Sequence, residues 1–337
     1  MDYTLTPNDP LGQSGRDAIA FRRDAAVLVT GARGLVGGAT TALLLREGFT
    51  SLLTPPRSEL DLTDPVAVNR YFDTFRPIYV LMIAGKVGGI AANVSDPVGF
   101  VDENVRISLN LFHACLKYQA EKALFLGSSC IYPASFDTPI PESALLTGPL
   151  EPTNEGYALS KIVGLRLASY YRHQHGLVTV CPMLSNVYGT GDQFDLQRSH
   201  VLSALVRRFV DARDEGADLV TLWGTGRARR EFLHCDDAAR AVLFFMDRVE
   251  TSDHINIGPG SDLTIAALAQ QVAFAAGYSG AVVWDHTKPD GMLRKCLDVS
   301  LARKLGFSAM VSLKDGIART VREYEALKAA TRTKNGR

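Results

Sequence analysis

Tyr157 and Lys161 stand four residues apart in Glu155-Gly-Tyr-Ala-Leu-Ser-Lys161, a spacing that puts both on one face of a helix. A lysine held there can lower a tyrosine's pKa electrostatically, making the phenol a usable proton donor and acceptor. Upstream, the apolar run from Leu124 passes into Leu126-Gly-Ser-Ser-Cys-Ile-Tyr-Pro133 and stops at a proline, which cannot donate a hydrogen bond to a sheet. That turn delivers Ser128, Ser129 and Cys130 together. Ligands of open α/β sheets sit beyond the carboxyl ends of strands, so the turn is a platform for chemistry. His200 precedes a later helix. Each also has a plain structural reading: Cys130 as a small buried hydrophobe, and His200 as a helix-start residue with structural hydrogen bonds.

Those residues need elements to hold them. Residues 25–30, Ala-Ala-Val-Leu-Val-Thr, form a short apolar run suited to a parallel strand buried on both faces. It feeds a turn carrying Gly31, Arg33, Gly34, Leu35, Val36 and Gly37, and then a helix with Val36, Ala39, Thr40, Leu43 and Leu44 on one face. Small residues there let the backbone approach a pyrophosphate, which the helix N-terminus attracts through free N–H groups and its dipole. The next strand, 51–54, ends in Thr and Pro rather than in an acid that would take a ribose 2′-hydroxyl of NAD. Arg33 and Arg57 supply two guanidiniums suited to a 2′-phosphate, so the cofactor read here is NADPH, with Asp61 and Leu62 beside the adenine. A strand over 77–84 ends at Ala84 and opens a glycine loop, 85–90. A helix over 104–119 is expected to bury Val105, Leu109, Phe112 and Leu116. Further strands are expected over 177–184, 219–223 and 254–258, and residues 231–237 read as a helix start. His234 reads as structural; His173 and His175 read as solvated or dipole-capping.

Composition bounds the function class. The chain has 337 residues, 36 basic and 36 acidic, so no global charge points to nucleic acid or a membrane surface. At 46% apolar and 21% charged it has the make-up of a globular α/β protein with room for a second lobe. No stretch approaches a spanning helix, no basic-then-apolar signal pattern opens the chain, and no membrane partner is expected. Five scattered cysteines form no paired framework and no metal-like spacing, so reduced thiols in a cytoplasmic enzyme without a metal are expected. Residues 1–24 read as a mobile leader and 332–337 as a frayed basic tail.

Taken together, the 30–37 glycine turn, Ser128 and the Tyr157/Lys161 pair resemble the extended short-chain dehydrogenase/reductase superfamily. A narrower likeness rests on Lys86-Val-Gly-Gly-Ile90, Leu126–Pro133, Leu150-Glu-Pro-Thr-Asn-Glu155, Ser199-His200, Arg230-Glu-Phe-Leu-His234 and Lys288-Pro-Asp-Gly291. These look like the GDP-L-fucose synthase family and span about 25–325. The resemblance implies a Rossmann-type doubly wound parallel sheet (25–185 and 231–258) with a smaller mixed α/β substrate lobe (186–230 and 259–330), NADPH, and a homodimer packed through two helices per subunit.

By the same resemblance Ser128, Tyr157 and Lys161 match a reductase triad, and Cys130 and His200 the base and acid of an epimerase. Ala84, Lys161 and Asn186 join the cofactor residues. Arg208, Trp223, Arg230 and Lys288 fall on substrate-lobe motifs, with Trp223 open between pocket and core. The implied reaction takes a GDP-linked 4-keto-6-deoxy sugar through C3/C5 epimerisation and then reduction at C4. The chain departs from the family where Leu184-Ser-Asn-Val-Tyr-Gly-Thr190 replaces Pro-Thr-Asn-Leu-Tyr-Gly-Pro, and where Asp192-Gln-Phe194 replaces Asp-Asn-Phe. Two alternatives stand beside this reading: an epimerase or 4-ketoreductase of another deoxy or heptose nucleotide sugar, and a non-catalytic NADP-binding regulator.

Overall fold

A computed structural model describes residues 20–136, 139–196, 199–288 and 292–335. The expected leader as far as residue 19, the end of the basic tail and the Pro-Asp-Gly portion of the 288–291 run lie outside the described residues.

The first strand, β1 (Val27–Val29), is a wholly buried Val-Leu-Val run that enters the glycine turn and then α1 (Leu35–Arg46). β2 (Leu52–Leu53) leads to α2 (Pro65–Phe75), which begins where Asp64 accepts a hydrogen bond from Val66 N and Pro65 occupies the first turn. β3 (Tyr79–Met82) precedes a short α3 (Ile90–Ser95) and the long α4 (Pro97–Lys117), capped in the same manner by Asp96. β4 (Lys122–Phe125) and β5 (Gly127–Ser128) run into α5 (Glu155–His175), which stops at Gly176 with φ 73°. β6 (Val178–Leu184) and β7 (Asn186–Tyr188) follow, then α6 (Val201–Glu215) and β8 (Leu219–Trp223). β9 (Arg229–Arg230), β10 (Phe232–His234), α7 (Cys235–Arg248) and β11 (His254–Ile257) come next. The rest holds β12 (Leu263–Thr264), α8 (Ile265–Ala276), β13 (Ala281–Asp285), β14 (Arg294–Lys295), α9 (Ser300–Lys304) and α10 (Leu313–Asn335).

The main sheet has the order β11-β6-β4-β3-β1-β2, with β5 also pairing β6, and every pairing in it is parallel. Strand order therefore reverses at β1/β3, the arrangement that leaves a crevice at the carboxyl ends. Apolar clusters cover both faces, one led by Phe72, Phe112 and Phe125 and the other by Leu44, Leu81 and Phe245. A third cluster, around Phe209, Leu268 and Val272, belongs to α6, α8 and β8. The α/β, Rossmann-like architecture is the one expected. No helix among the described residues is long and apolar enough to cross a membrane.

Several details differ from the sequence-based expectation. Helix α4 starts at Pro97 rather than near 104, and its buried stripe runs through Phe100, Asn104, Ser108, Leu111 and Phe112. Leu109 is 44% exposed, because α4 packs on α5 and α2 with the adjoining face. Residues 232–234 are a strand rather than helix, since Phe232-Leu-His234 pairs in parallel with β7; the helix begins only at Cys235. Residues 20–24, counted with the leader, are held. Phe21 is buried between the rings of Phe49 and Tyr79, at centroid distances of 4.5 and 5.0 Å, and Arg22 donates to both carboxylate oxygens of Glu121.

Lys122 opens β4 fully buried, its ammonium donating to Met246 O at 2.8 Å near the end of α7. Burial pushes its pKa down to about 8, against the pull of Glu250 and Asp247. Between pH 8 and the ordinary lysine value the unfolded chain binds a proton that the folded chain does not, so stability rises with pH in that window. Lys122→Met should remove this slope: relative to the variant, the native chain gains about 3 kcal/mol between pH 8 and 10.5. Chemical denaturation of both proteins at the two pH values measures it, and parallel curves would contradict the assignment.

Candidate active site

One cavity of about 690 Å³ opens where β1, β3, β4 and β6 end, lined by Gly31, Ile83, Ala84, Leu126, Ser128 and Leu184 through Asn186. Those residues lie at or within two positions of the carboxyl ends of main-sheet strands. The glycine turn forms one wall. Gly31 adopts φ +71° beneath Ala84, and a Cβ at Gly37 would lie 2.1 Å from Gly31 O, so no larger side chain fits the turn as it stands. Thr30 Oγ1 donates to Leu81 O and accepts from Ile83 N and Ala84 N, which ties the turn to the end of β3. A wall that only glycine can build, in front of the N-terminus of α1, fits a dinucleotide diphosphate. Gly37→Ala is expected to weaken NADPH binding about tenfold or more, read from nucleotide fluorescence; an unchanged Kd would contradict this role for the turn.

Opposite lies the chemical group. Gly127 pairs with Met183 and Ser128 with Leu184, which fixes the end of β5 against β6. Ser128 then caps a 3₁₀ turn over Ser129–Ile131, accepting from Cys130 N at 3.5 Å. The helix α5 reaches this turn because Gly164 lets it approach Phe125: a Cβ there would meet the ring at 2.2 Å. That close approach delivers Tyr157 and Lys161. The Ser128 hydroxyl bears on the ionisation of both the Tyr157 phenol and the Cys130 thiol, so the three groups act on one another electrostatically.

Lys161 Nζ donates to Leu126 O at 2.9 Å and lies 5.7 Å from the centre of the Tyr157 ring. Burial brings its pKa down to about 8, opposed by the Cys130 thiolate form. The expected lowering of the Tyr157 pKa by Lys161 is not what the geometry gives. Burial raises the phenol, with Cys130 adding to the rise and the Ser128 hydrogen bond acting against it, while the ammonium is engaged by a carbonyl. Burial likewise pushes the Cys130 thiol up, countered by Lys295, Ser128 and Lys161 in that order. His200 lines the same cavity from the start of α6, beside Asp192, whose carboxylate also accepts from Ser203 Oγ.

The remaining sequence-derived positions divide. Arg33, Gly34, Leu35, Val36 and Asn186 line the cavity; Asn186 donates to Glu231 O at 3.0 Å. Arg57, Asp61 and Leu62 do not. Arg57 sits on the loop after β2, 3.8 Å from Asp61 and 3.6 Å from Glu103, and Asp61 folds back on Thr63 N and Oγ1. Leu62 packs against the core and its carbonyl accepts from Asn110. Arg208 and Arg230 are half-buried and Lys288 is exposed, none of them on the cavity wall. Trp223 is 66% exposed with Lys288 Nζ 5.7 Å from its ring centre, which removes the core reading. His234 is the N-cap of α7, accepting from Asp236 N at 3.2 Å, and all five thiols are free and buried.

Residues 27–258 match the model of the NAD dependent epimerase/dehydratase family. The chain belongs to that family. Its relatives include a putative GDP-L-fucose synthase 2 of Arabidopsis thaliana, 47% identical over 304 residues that cover 90% of this chain and 93% of the relative. Among solved members, a GDP-L-fucose synthetase from Naegleria fowleri bound to NADP superposes with a TM-score of 0.85 at 26% identity, covering 94% and 98% of the two chains. A GDP-6-OMe-4-keto-L-xylo-heptose reductase from C. jejuni gives 0.86 at 30% identity, covering 92% and 100%. The chain is thus similar over nearly its whole length to these nucleotide-sugar enzymes, one of them solved with NADP bound.

Two groups escaped the sequence reading. Asn104 is buried in α4 and holds the 85–90 loop through Lys86, accepting from its N at 2.8 Å and donating to its O at 3.0 Å. A polar residue on the apolar stripe of α4 was the signal for it. Lys295 reaches Cys130 electrostatically from the two-residue strand β14, and nothing local marks it.

Proposed function

We propose that the chain is a bifunctional epimerase–reductase that converts GDP-4-keto-6-deoxy-D-mannose to GDP-L-fucose. The observation that carries this reading is that Ser128, Tyr157 and Lys161 line one cavity with the glycine turn and His200, while Cys130 sits on the turn that Ser128 caps, its N donating to Ser128 Oγ. A ketone at C4 acidifies the protons on C3 and C5. The Cys130 thiolate removes such a proton, its electron pair passing to the ketone oxygen, and His200 returns a proton from the other face. Ser128 and Tyr157 donate to the resulting enolate oxygen. NADPH, when bound, supplies the hydride for C4. Tyr157 then protonates the C4 oxygen, and Lys161 orients the ribose at Gly85, where a Cβ would sit 3.9 Å from its ammonium. Arg33 and Arg57 take the 2′-phosphate, and Arg208, Trp223, Arg230 and Lys288 the GDP moiety.

The names of the relatives support this choice of sugar, and the chemistry of the cluster supports the choice of two reactions over reduction alone. Division into a cofactor domain (25–185 and 231–258) and a substrate lobe (186–230 and 259–330) accompanies the reading. A homodimer is part of the same proposal: Leu109 on α4 and Leu159, Val163 and Tyr170 on α5 are exposed apolar residues on neighbouring helices. Five unpaired thiols support a cytoplasmic setting. NADPH oxidation should be followed with GDP-4-keto-6-deoxy-D-mannose, its dTDP counterpart and a GDP-4-keto-heptose. Turnover confined to the first, giving GDP-L-fucose by NMR, is the expected result. Preference for the heptose would overturn the choice of sugar, and no oxidation with any of them would overturn the enzyme.

A further inference from the structure

Arg57, one of the two guanidiniums assigned to the 2′-phosphate, already faces negative charge. It stands four residues after β2, on the loop where a sheet of this kind seats the adenosine ribose. Two carboxylates lie beside it: Asp61 Oδ2 is 3.8 Å from its Nε, and Glu103 Oε2 is 3.6 Å from its Nη1. Arg33, the other guanidinium, lines the cavity and makes no ion pair among the described residues.

Of the two carboxylates, Glu103 is the one on a separate element, α4. Each of its oxygens meets a different cation. Oε2 faces Arg57, while Oε1 accepts from Lys86 Nζ at 2.6 Å. Lys86 belongs to the loop after β3, whose Gly85, Val87 and Gly88 line the cavity. Asp96 accepts from the same ammonium at 2.8 Å. Arg57, Glu103, Lys86 and Asp96 therefore form a row of alternating charge that leads from the β2 loop to the cavity loop.

The row is fixed at its Lys86 end. Asn104, next to Glu103 on α4, accepts from Lys86 N at 2.8 Å and donates to Lys86 O at 3.0 Å. Asp96 also accepts from Gly99 N at 3.0 Å as the cap of α4. The open end is Arg57, whose side chain is 71% exposed. To reach Arg57, the 2′-phosphate of NADPH has to draw the guanidinium from Glu103 and tolerate a carboxylate left close by. NADH carries a hydroxyl at that position and meets neither cost. An exposed ion pair is weak, so a phosphate dianion wins Arg57, but the like charge beside it subtracts from its binding.

We propose that Glu103 is a specificity-determining residue for the cofactor: its carboxylate opposes the 2′-phosphate at Arg57 and narrows the preference for NADPH over NADH. Lys86 and Asn104 hold that carboxylate in place. The proposal rests on the reading of Arg57 as a phosphate contact, and on neither the identity of the sugar nor the epimerisation.

The test compares full-length native protein with Glu103→Gln, Arg57→Met and the double variant. Dissociation constants of NADPH and NADH are read from nucleotide fluorescence with no sugar present. Glu103→Gln should tighten NADPH about threefold to tenfold and leave NADH within about twofold. Arg57→Met should weaken NADPH about tenfold or more with little change for NADH. In that background Glu103→Gln should give no further tightening, because the pair acts as a unit. If Arg57→Met lowers the NADPH preference but Glu103→Gln leaves the NADPH Kd unmoved, the proposal is overturned and Arg57 remains the phosphate contact. An equal change for both nucleotides, or tightening that persists without Arg57, also overturns it, since Glu103 would then act through Lys86 and its loop. An unaltered preference in Arg57→Met removes Arg57 from the phosphate and the proposal with it.

Discussion

Cys130→Ser is expected to cut solvent-deuterium exchange at C3 and C5 of the ketosugar by a factor on the order of 10²–10⁴ while leaving reduction of the epimerised sugar within a few-fold of native. The reason is the difference in acidity between a thiol and an alcohol at one position. Serine preserves the size of the group beside Ser128, so the cluster's packing survives, but an alkoxide is out of reach at neutral pH. In the native protein Lys295, Ser128 and Lys161 act against the burial that raises the thiol. Exchange is read by NMR and reduction by NADPH absorbance, each on its own substrate. Equal loss of both activities would mean that Cys130 supports the architecture of the turn rather than proton abstraction.

Tyr157→Phe should produce the opposite pattern. Hydride transfer leaves negative charge on the C4 oxygen, and the phenol, on the cavity wall with Ser128, is the proton source. Removing it is expected to lower the reduction rate by a factor on the order of 10²–10⁴, and exchange by much less, because Ser128 still donates to the enolate. The ring is retained, so its edge-on packing against Phe100, with centroids 6.3 Å apart, should persist. The pH profile carries a second signature. Burial holds the Tyr157 phenol protonated and brings the Lys161 pKa down to about 8, so the ammonium is lost as pH rises through that value. The reduction rate should therefore fall on the alkaline side of about pH 8 in native enzyme. A flat alkaline limb would contradict the role given to Lys161.

The parts of this site that were legible in the sequence are those in which local spacing alone sets geometry. The glycine turn announces itself because a strand, a chain reversal and a helix start must fit within a few residues, and at Gly37 no Cβ fits beside Gly31 O. Tyr157 and Lys161 are legible because one helix fixes their relation. Ser128 and Cys130 are legible because a single turn carries both.

What failed depended on partners distant in the chain. Leu109 looked buried because α4 is apolar on more than one face, and only its packing on α5 and α2 decides which face is covered. The strand at 232–234 reads as a helix start until β7 is placed beside it. Phe21 sits in a stretch without periodicity, and its burial depends on Phe49 and Tyr79.

The central claim is that one cluster performs two reactions, epimerisation at carbons beside a ketone and reduction of that ketone. The most direct measurement is the isotopic content of the product formed by native enzyme from GDP-4-keto-6-deoxy-D-mannose and NADPH in D₂O. Product carrying solvent deuterium at both C3 and C5, with C4 hydrogen derived from NADPH, is the predicted result. Product with protium retained at C3 and C5 would show a reductase that never opens those C–H bonds, and would contradict the account.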